Sequence, residues 1–174
     1  YIIGGDGSID VPVKGKKEML MPDLPRFGLR LFMPKEMDQA EYYGYGPYES
    51  YSDKKQASYM SRFATTAKEN HEDYIKPQEN GSHYGCLEAL VADEWGNGIE
   101  AVSEKGFSFN ISCYTQEELG SKMHNFELEE ADCTVVCLDY AMSGIGSNSC
   151  GPRPKEHHLF NEPKFKYHIR INMI

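Results

Sequence analysis

From Lys164 to Met173 the side chains alternate: Phe165, Tyr167, Ile169, Ile171 and Met173 fall on one face, and Lys164, Lys166, His168 and Arg170 on the other. A period of two sets successive side chains on opposite sides of an extended chain, whereas a helix would spread those five apolar groups around its axis. The segment therefore reads as a half-buried β-strand with a core on one side. The same rule organises Phe27, Leu29, Leu31 and Met33, and again Phe107, Phe109 and Ile111 against Ser108, Asn110 and Ser112.

A second constraint is the run from Tyr42 to Asp53, with five tyrosines set among Gly44, Gly46 and Pro47. Glycine permits a positive φ and proline donates no ladder hydrogen bond, so a strand of large flat side chains has to stop and turn there. The ring bodies belong in a sheet core with their hydroxyls wet. A strand over 37–45 delivers this turn. Upstream, residues 8–13 alternate as an edge strand around Pro12, Lys14 to Lys17 reads as a basic turn, and 19–25 is an irregular connector.

Downstream, Asp53 is placed to cap a short helix carrying Tyr59, Met60 and Phe63 at helical spacing. Residues 74–81 read as a strand end and a reversal at Asn80-Gly81, and 84–91 as a strand buried on both faces. Asp93 to Gly98, with Trp95, is a hairpin tip. Thr115 and Glu118 have the spacing of a capping box, and 133–142 is a buried strand ending in the small polar loop 143–152. Strands dominate, helices are short and turns recur, which is the pattern of an all-β sandwich in one domain spanning 1–174.

Eighteen basic residues against 27 acidic ones give a net charge of -9, which argues against a nucleic-acid partner and against an anionic membrane surface. No apolar run approaches the roughly 18 residues of a spanning helix. An opening at Tyr1 rather than Met reads as a cut inside a larger polypeptide. Five scattered cysteines, Cys86, Cys113, Cys133, Cys137 and Cys150, read as reduced cytoplasmic thiols.

Several chemistries fail on spacing. Gly144-Ile145-Gly146 lacks the third glycine of a dinucleotide loop, and Gly151-Pro152-Arg153-Pro154 blocks the helix such a loop needs. Cys133 and Cys137 on one strand face would lie roughly 13 Å apart, too far to share a zinc, and His157-His158 sits in a charged loop. Glu117, Glu118, Glu127, Glu129 and Glu130 crowd a short helix and an acidic turn, where solvation explains them. No pair stands in an apolar setting that would separate an acid from a nucleophile, so no catalytic carboxylates are assigned.

Four stretches together resemble one family in the same order: Gly44, Gly46, Pro47, Glu49, Tyr51 and Asp53; then Tyr74, Pro77, Glu79, Asn80 and Gly81, with Gly85 and Glu88; then Phe109 to Ser112 with Tyr114, Gln116 and Leu119; and Gly144, Ile145, Gly146, Ser149 and Pro152. The chain resembles the C-terminal domain of bacterial β-galactosidases of glycoside hydrolase family two over nearly its whole length. The resemblance implies the C-terminal part of a galactose-mutarotase-like β-supersandwich. It implies a retaining parent enzyme acting on β-D-galactosides such as lactose, whose catalytic glutamates and whose magnesium and sodium ions lie in other domains. This fragment would have no activity and no cofactor of its own.

The expected partners are the catalytic barrel of the same parent chain, a β-galactoside at the domain edge and, in an oligomer, further copies. In the family the glycine loop presents a tryptophan to the sugar at the active-site mouth, and here that position is Cys150, with Asn148 as a polar neighbour. Two milder departures are Ser50, where the family usually has Asn, and Lys54, where it has Arg. Other readings weighed are a free-standing carbohydrate-binding module and an aldose 1-epimerase, for which His71, His83 and Glu88 are the loose candidates.

Overall fold

The structure is a computed structural model, and it describes residues 1–18, 20–146 and 152–174. The strands are β1 (Ile2–Ile3), β2 (Ile9–Lys16), β3 (Arg26–Met33), β4 (Gln39–Gly46), β5 (Tyr59–Thr66), β6 (His83–Ala92), β7 (Gly98–Ser112), β8 (Thr134–Met142) and β9 (Lys164–Met173). One short helix, α1 (Gln116–Ser121), and two 3-10 turns complete the described elements. All pairings are antiparallel, in the order β1-β2-β9-β7-β6-β4-β5, with β8 added to β7 and β3 added to β8. The chain is all-β, as the alternation requires.

The 15-residue β7 is where the sheet forks. Its first part, Ile99 to Val102, pairs with β9, and its last part, Ser108 to Ser112, pairs with β8. Between them Gly106 takes φ +76°, a conformation that costs other residues strain, so the strand can bend and leave one ladder for another. The two branches then close on one core. Tyr140 of β8 lies 5.3 Å from the Phe165 ring and 5.5 Å from the Tyr167 ring of β9, and the Tyr167 hydroxyl donates to Leu138 O at 3.1 Å. Phe109, Val136 and Ile169 at the centre are fully buried. Burial of each such side chain contributes about 1.5–3 kcal/mol.

Several expectations need correction. The spacing of Tyr59, Met60 and Phe63 does not make a helix: these residues begin β5, because β4 offers a complete ladder in which Tyr42 faces Phe63. Lys14 and Lys16 are not in a turn but in β2, opposite Lys166 and Lys164 on the solvated face. Residues 71–82 form no strand; they are an irregular segment tied down by side chains. Ser108 and Asn110 are buried like their apolar neighbours, since other parts of the chain cover both faces of β7. Pro12 does sit on a free strand edge, because β1 pairs only with Ile9 and Asp10. No helix among the described residues is long and apolar enough to cross a membrane.

Candidate functional site

After Gly46 and Pro47 end β4, the backbone of the turn is closed by paired hydrogen bonds between Tyr51 and Lys54, and Tyr51 is buried. This places two carboxylates of the turn against two other segments. Glu49, with its side chain 3% exposed, accepts from Lys54 Nζ and from the Tyr74 hydroxyl on one oxygen, and from the Gly81 N–H at 2.8 Å on the other. Burial opposes charge on Lys54, but its hydrogen bonds to Glu49 and Tyr74 outweigh this and hold its pKa above the ordinary lysine value. Lys54 thus makes an ion pair with Glu49. Ser50 is also absorbed by the fold: its hydroxyl donates to Tyr45 O at 3.0 Å and accepts from the Tyr84 N–H at 2.8 Å.

Asp53 holds the second segment. Its Oδ1 accepts from the Ile145 N–H at 3.0 Å and its Oδ2 from the Gly146 N–H at 2.9 Å. A Cβ at Gly144 would overlap this carboxylate, so the approach requires glycine. Gly144 N–H donates to His158 O at 2.8 Å and Ser143 N–H to Pro25 O at 2.9 Å. The start of the glycine loop is thus pinned to the tyrosine turn.

Beneath the loop lies a cavity of about 360 Å³, bounded among others by Arg26, Tyr51, Glu79, Gln116 and Ile145. Arg26 spans two carboxylates here, donating to Glu79 at 2.7 Å and to both oxygens of Asp139. Burial lifts the carboxyls of Asp139 and Glu79 above the usual carboxylate range, with Arg26 pulling against it. His83 packs against the Tyr42 ring at 4.0 Å and contacts Tyr45 O and Asn70 Oδ1; its burial lowers its pKa to about 4.

Cys150 and Asn148 lie outside the described residues. The described chain leads toward them as far as Gly146 and resumes at Pro152. The three residues weighed for an epimerase have separate partners: His83 is in the core, His71 packs on the Tyr114 ring, and Glu88 pairs with Arg62 on the outer face of β6. Among the described residues no group of three or more His, Cys, Asp or Glu side chains is arranged for a metal ion. The acids at Glu117 and Glu130 are engaged by Arg30 and Lys35 at the surface. Sequence reasoning missed the roles of Asp53 and Arg26. Their partners lie 92–93 and 113 positions away along the chain, and no local pattern signals them.

A family profile described as the beta galactosidase small chain matches residues 1–171. Similar proteins include a β-galactosidase of Actinobacillus pleuropneumoniae, 49% identical over 100% of this chain and 17% of its own length. One of Staphylococcus xylosus is 39% identical over 97% of this chain and 17% of its own. A third, of Streptococcus thermophilus, is 32% identical over 88% of this chain and 15% of its own. The chain thus spans only about a sixth of the length of the curated relatives it matches. With its all-β fold and its clamped glycine loop, it belongs to the β-galactosidase small-chain family.

Proposed function

We propose that this chain is the non-catalytic C-terminal part of a retaining β-galactosidase of glycoside hydrolase family two, which hydrolyses terminal β-D-galactosides such as lactose. In that enzyme it packs on the catalytic barrel, and its glycine loop lines the mouth of the active site. The observation that carries this reading is the clamp of Asp53 on Ile145 and Gly146, which gives the segment leading to Asn148 and Cys150 a fixed base. The buried carboxylates support a non-catalytic role. Glu49 is taken by Lys54, and Glu79 and Asp139 share Arg26, so none is free to serve as the acid or nucleophile of a pair set about 5 Å apart. The magnesium and sodium ions of the enzyme belong to its other domains. The protein works in the cytoplasm, with further copies as partners in an oligomer.

At the mouth, Asn148 offers an amide donor and acceptor to a sugar hydroxyl, while the Cys150 thiol offers no wide π face to its C–H bonds. The full-length protein is expected to release nitrophenol from a nitrophenyl β-galactoside, whereas the isolated chain releases none. Cys150→Trp in the full-length protein should lower KM about fivefold, since a stacked aromatic contact is worth about 1 kcal/mol. Steady-state kinetics checks this, and an unchanged KM would remove residue 150 from the sugar site.

A further inference from the structure

We infer that the lysine ladder of β2 and β9 is a binding site for a small anion of the oligophosphate class, a molecule that carries several negative charges at once. Lys14 stands opposite Lys166 and Lys16 opposite Lys164, in register. Opposed residues on one sheet face have Cβ atoms about 5 Å apart, and residues two apart along a strand lie about 7 Å apart, so four exposed ammonium groups spring from one small patch. Lys105, exposed beside Gly106 at the fork of β7, joins them in bounding a concavity of about 550 Å³, where Glu162 is the one acid among the described lining residues. Like charges directly opposite each other destabilise a ladder, so the arrangement calls for a counter-charge.

The rest of the described chain does not supply it. Among the described residues none of these five lysines takes part in a salt bridge, whereas neighbouring Lys17 is buried and donates to Asn161 Oδ1 at 2.6 Å. Glu162 accepts from the Tyr140 hydroxyl at 3.1 Å. Lysines on an edge strand can serve merely to repel another strand, but Lys105 comes from the fork, and β9 lies between β2 and β7. The chain as a whole carries -9, so an anion as large as a nucleic acid or a membrane meets repulsion over most of its extent. Charge is screened beyond roughly 10 Å, about the width of the patch, and an anion small enough to sit within it feels the lysines and little else. Lysine acts on a phosphate as a point charge on a flexible stem, so the ladder suits several phosphates better than one. A β-galactoside has no charge for this field to act on; the ligand is a different molecule, and the site does not depend on a sugar-binding mouth.

The test is equilibrium dialysis of inorganic triphosphate against the full-length protein in about 0.15 M salt. Saturable binding is expected, with inorganic monophosphate held about tenfold more weakly because it meets fewer lysines. Lys14→Gln combined with Lys166→Gln should weaken triphosphate about tenfold, and Lys105→Gln alone about threefold. Lys35→Gln, which removes one charge at a separate ion pair with Glu130, should leave the affinity unchanged. All these positions are exposed, so the variants keep the fold, and far-UV circular dichroism of each checks it. Absence of saturable binding overturns the inference, and so does equal binding by the protein and by the Lys14→Gln, Lys166→Gln variant. Monophosphate bound as tightly as triphosphate overturns it too, since single lysines would then suffice. A loss in Lys35→Gln as large as in the ladder variant would reduce the effect to overall charge and overturn the site.

Discussion

Arg26→Met should lower the free energy of unfolding by about 3–5 kcal/mol at neutral pH, the cost of leaving buried charge uncompensated. Arg26 donates to Glu79 and Asp139 together, and the Asp139 side chain is only 5% exposed. Burial alone would lower the Arg26 pKa, but the hydrogen bond to Asp139 and the charge of Glu79 raise it well above the ordinary value. Once the guanidinium is gone, two carboxylates share one partly apolar site with no cation, and burial lifts both pKa values further. The sign of the pH dependence follows. A carboxyl whose folded pKa is raised binds its proton more readily in the folded state, so stability falls as pH rises through that range and recovers as pH falls.

The variant should therefore be much less destabilised at pH 5 than at pH 7. Urea unfolding followed by far-UV circular dichroism gives both values; Trp95 is 81% exposed and is a poor reporter of the core. A loss below about 1 kcal/mol, equal at both pH values, would mean that the triad is not an electrostatic unit. Adding Glu79→Gln and Asp139→Asn to Arg26→Met should restore part of the loss, because removing all the charges is cheaper than orphaning two of them.

The strands were legible in the sequence wherever one face is buried and the other wet. In β9, Phe165, Tyr167, Ile169 and Ile171 are buried while Lys164, Lys166, His168 and Arg170 are exposed, as the alternation requires, but Met173, expected on the buried face, is exposed at the end of the strand. The cap of α1 was legible too, since Thr115 accepts from the Glu118 N–H at 3.1 Å; the reciprocal half of the box is absent because Glu118 turns to the Glu129 N–H and to Lys122. Where two periodicities overlap, as at Tyr59, Ser61 and Phe63, the pattern could not decide and the ladder with β4 did. Ser108 and Asn110 looked solvated because a serine or asparagine carries no mark of what covers it. Asn110 Nδ2 donates to Asn80 O at 2.6 Å from beneath the irregular segment, a contact set by tertiary structure.

The candidate site divides in the same way. Glu49, Asp53, Glu79 and Gly144 to Gly146 all belong to the stretches that resemble the family, yet their chemistry is not local. Glu49 reaches Gly81, Asp53 reaches Ile145 and Arg26 reaches Asp139, each across dozens of residues. Asp53 looked like a helix cap for a sound reason: a carboxylate that accepts from backbone N–H groups is what a cap is. The donors belong to another loop.

Acidification should expose a second electrostatic dependence, centred on His83. The ring is 1% exposed, and its Nδ1 and Nε2 lie 3.2 Å from Tyr45 O and 2.7 Å from Asn70 Oδ1. Asn70 is fixed in that orientation because its Nδ2 donates to Gly81 O and Ile111 O. Both neighbours are therefore acceptors, and a neutral imidazole has one N–H to give. Protonation would satisfy both, and the Glu49 carboxylate also favours it, but burial outweighs these effects and leaves the pKa at about 4 against the ordinary 6.5.

Below pH 6.5 the unfolded chain takes up a proton that the folded chain refuses, so stability is lost as pH falls toward 4. The loss from this one group should reach about 2 kcal/mol by pH 5 and approach about 3 kcal/mol near pH 4. The carboxyls of Glu79 and Asp139, whose pKa values are raised, act in the opposite direction over the same range, so the raw pH profile of the protein mixes the two. His83→Gln separates them: it keeps a donor for Asn70 or Tyr45, removes the titration and leaves the acids in place. The difference in unfolding free energy between the protein and His83→Gln should shrink steadily from pH 7 to pH 4.5. A constant difference, or a His83 ring resonance titrating near 6.5 in the folded protein, would show that water reaches the imidazole and that burial does not set its charge.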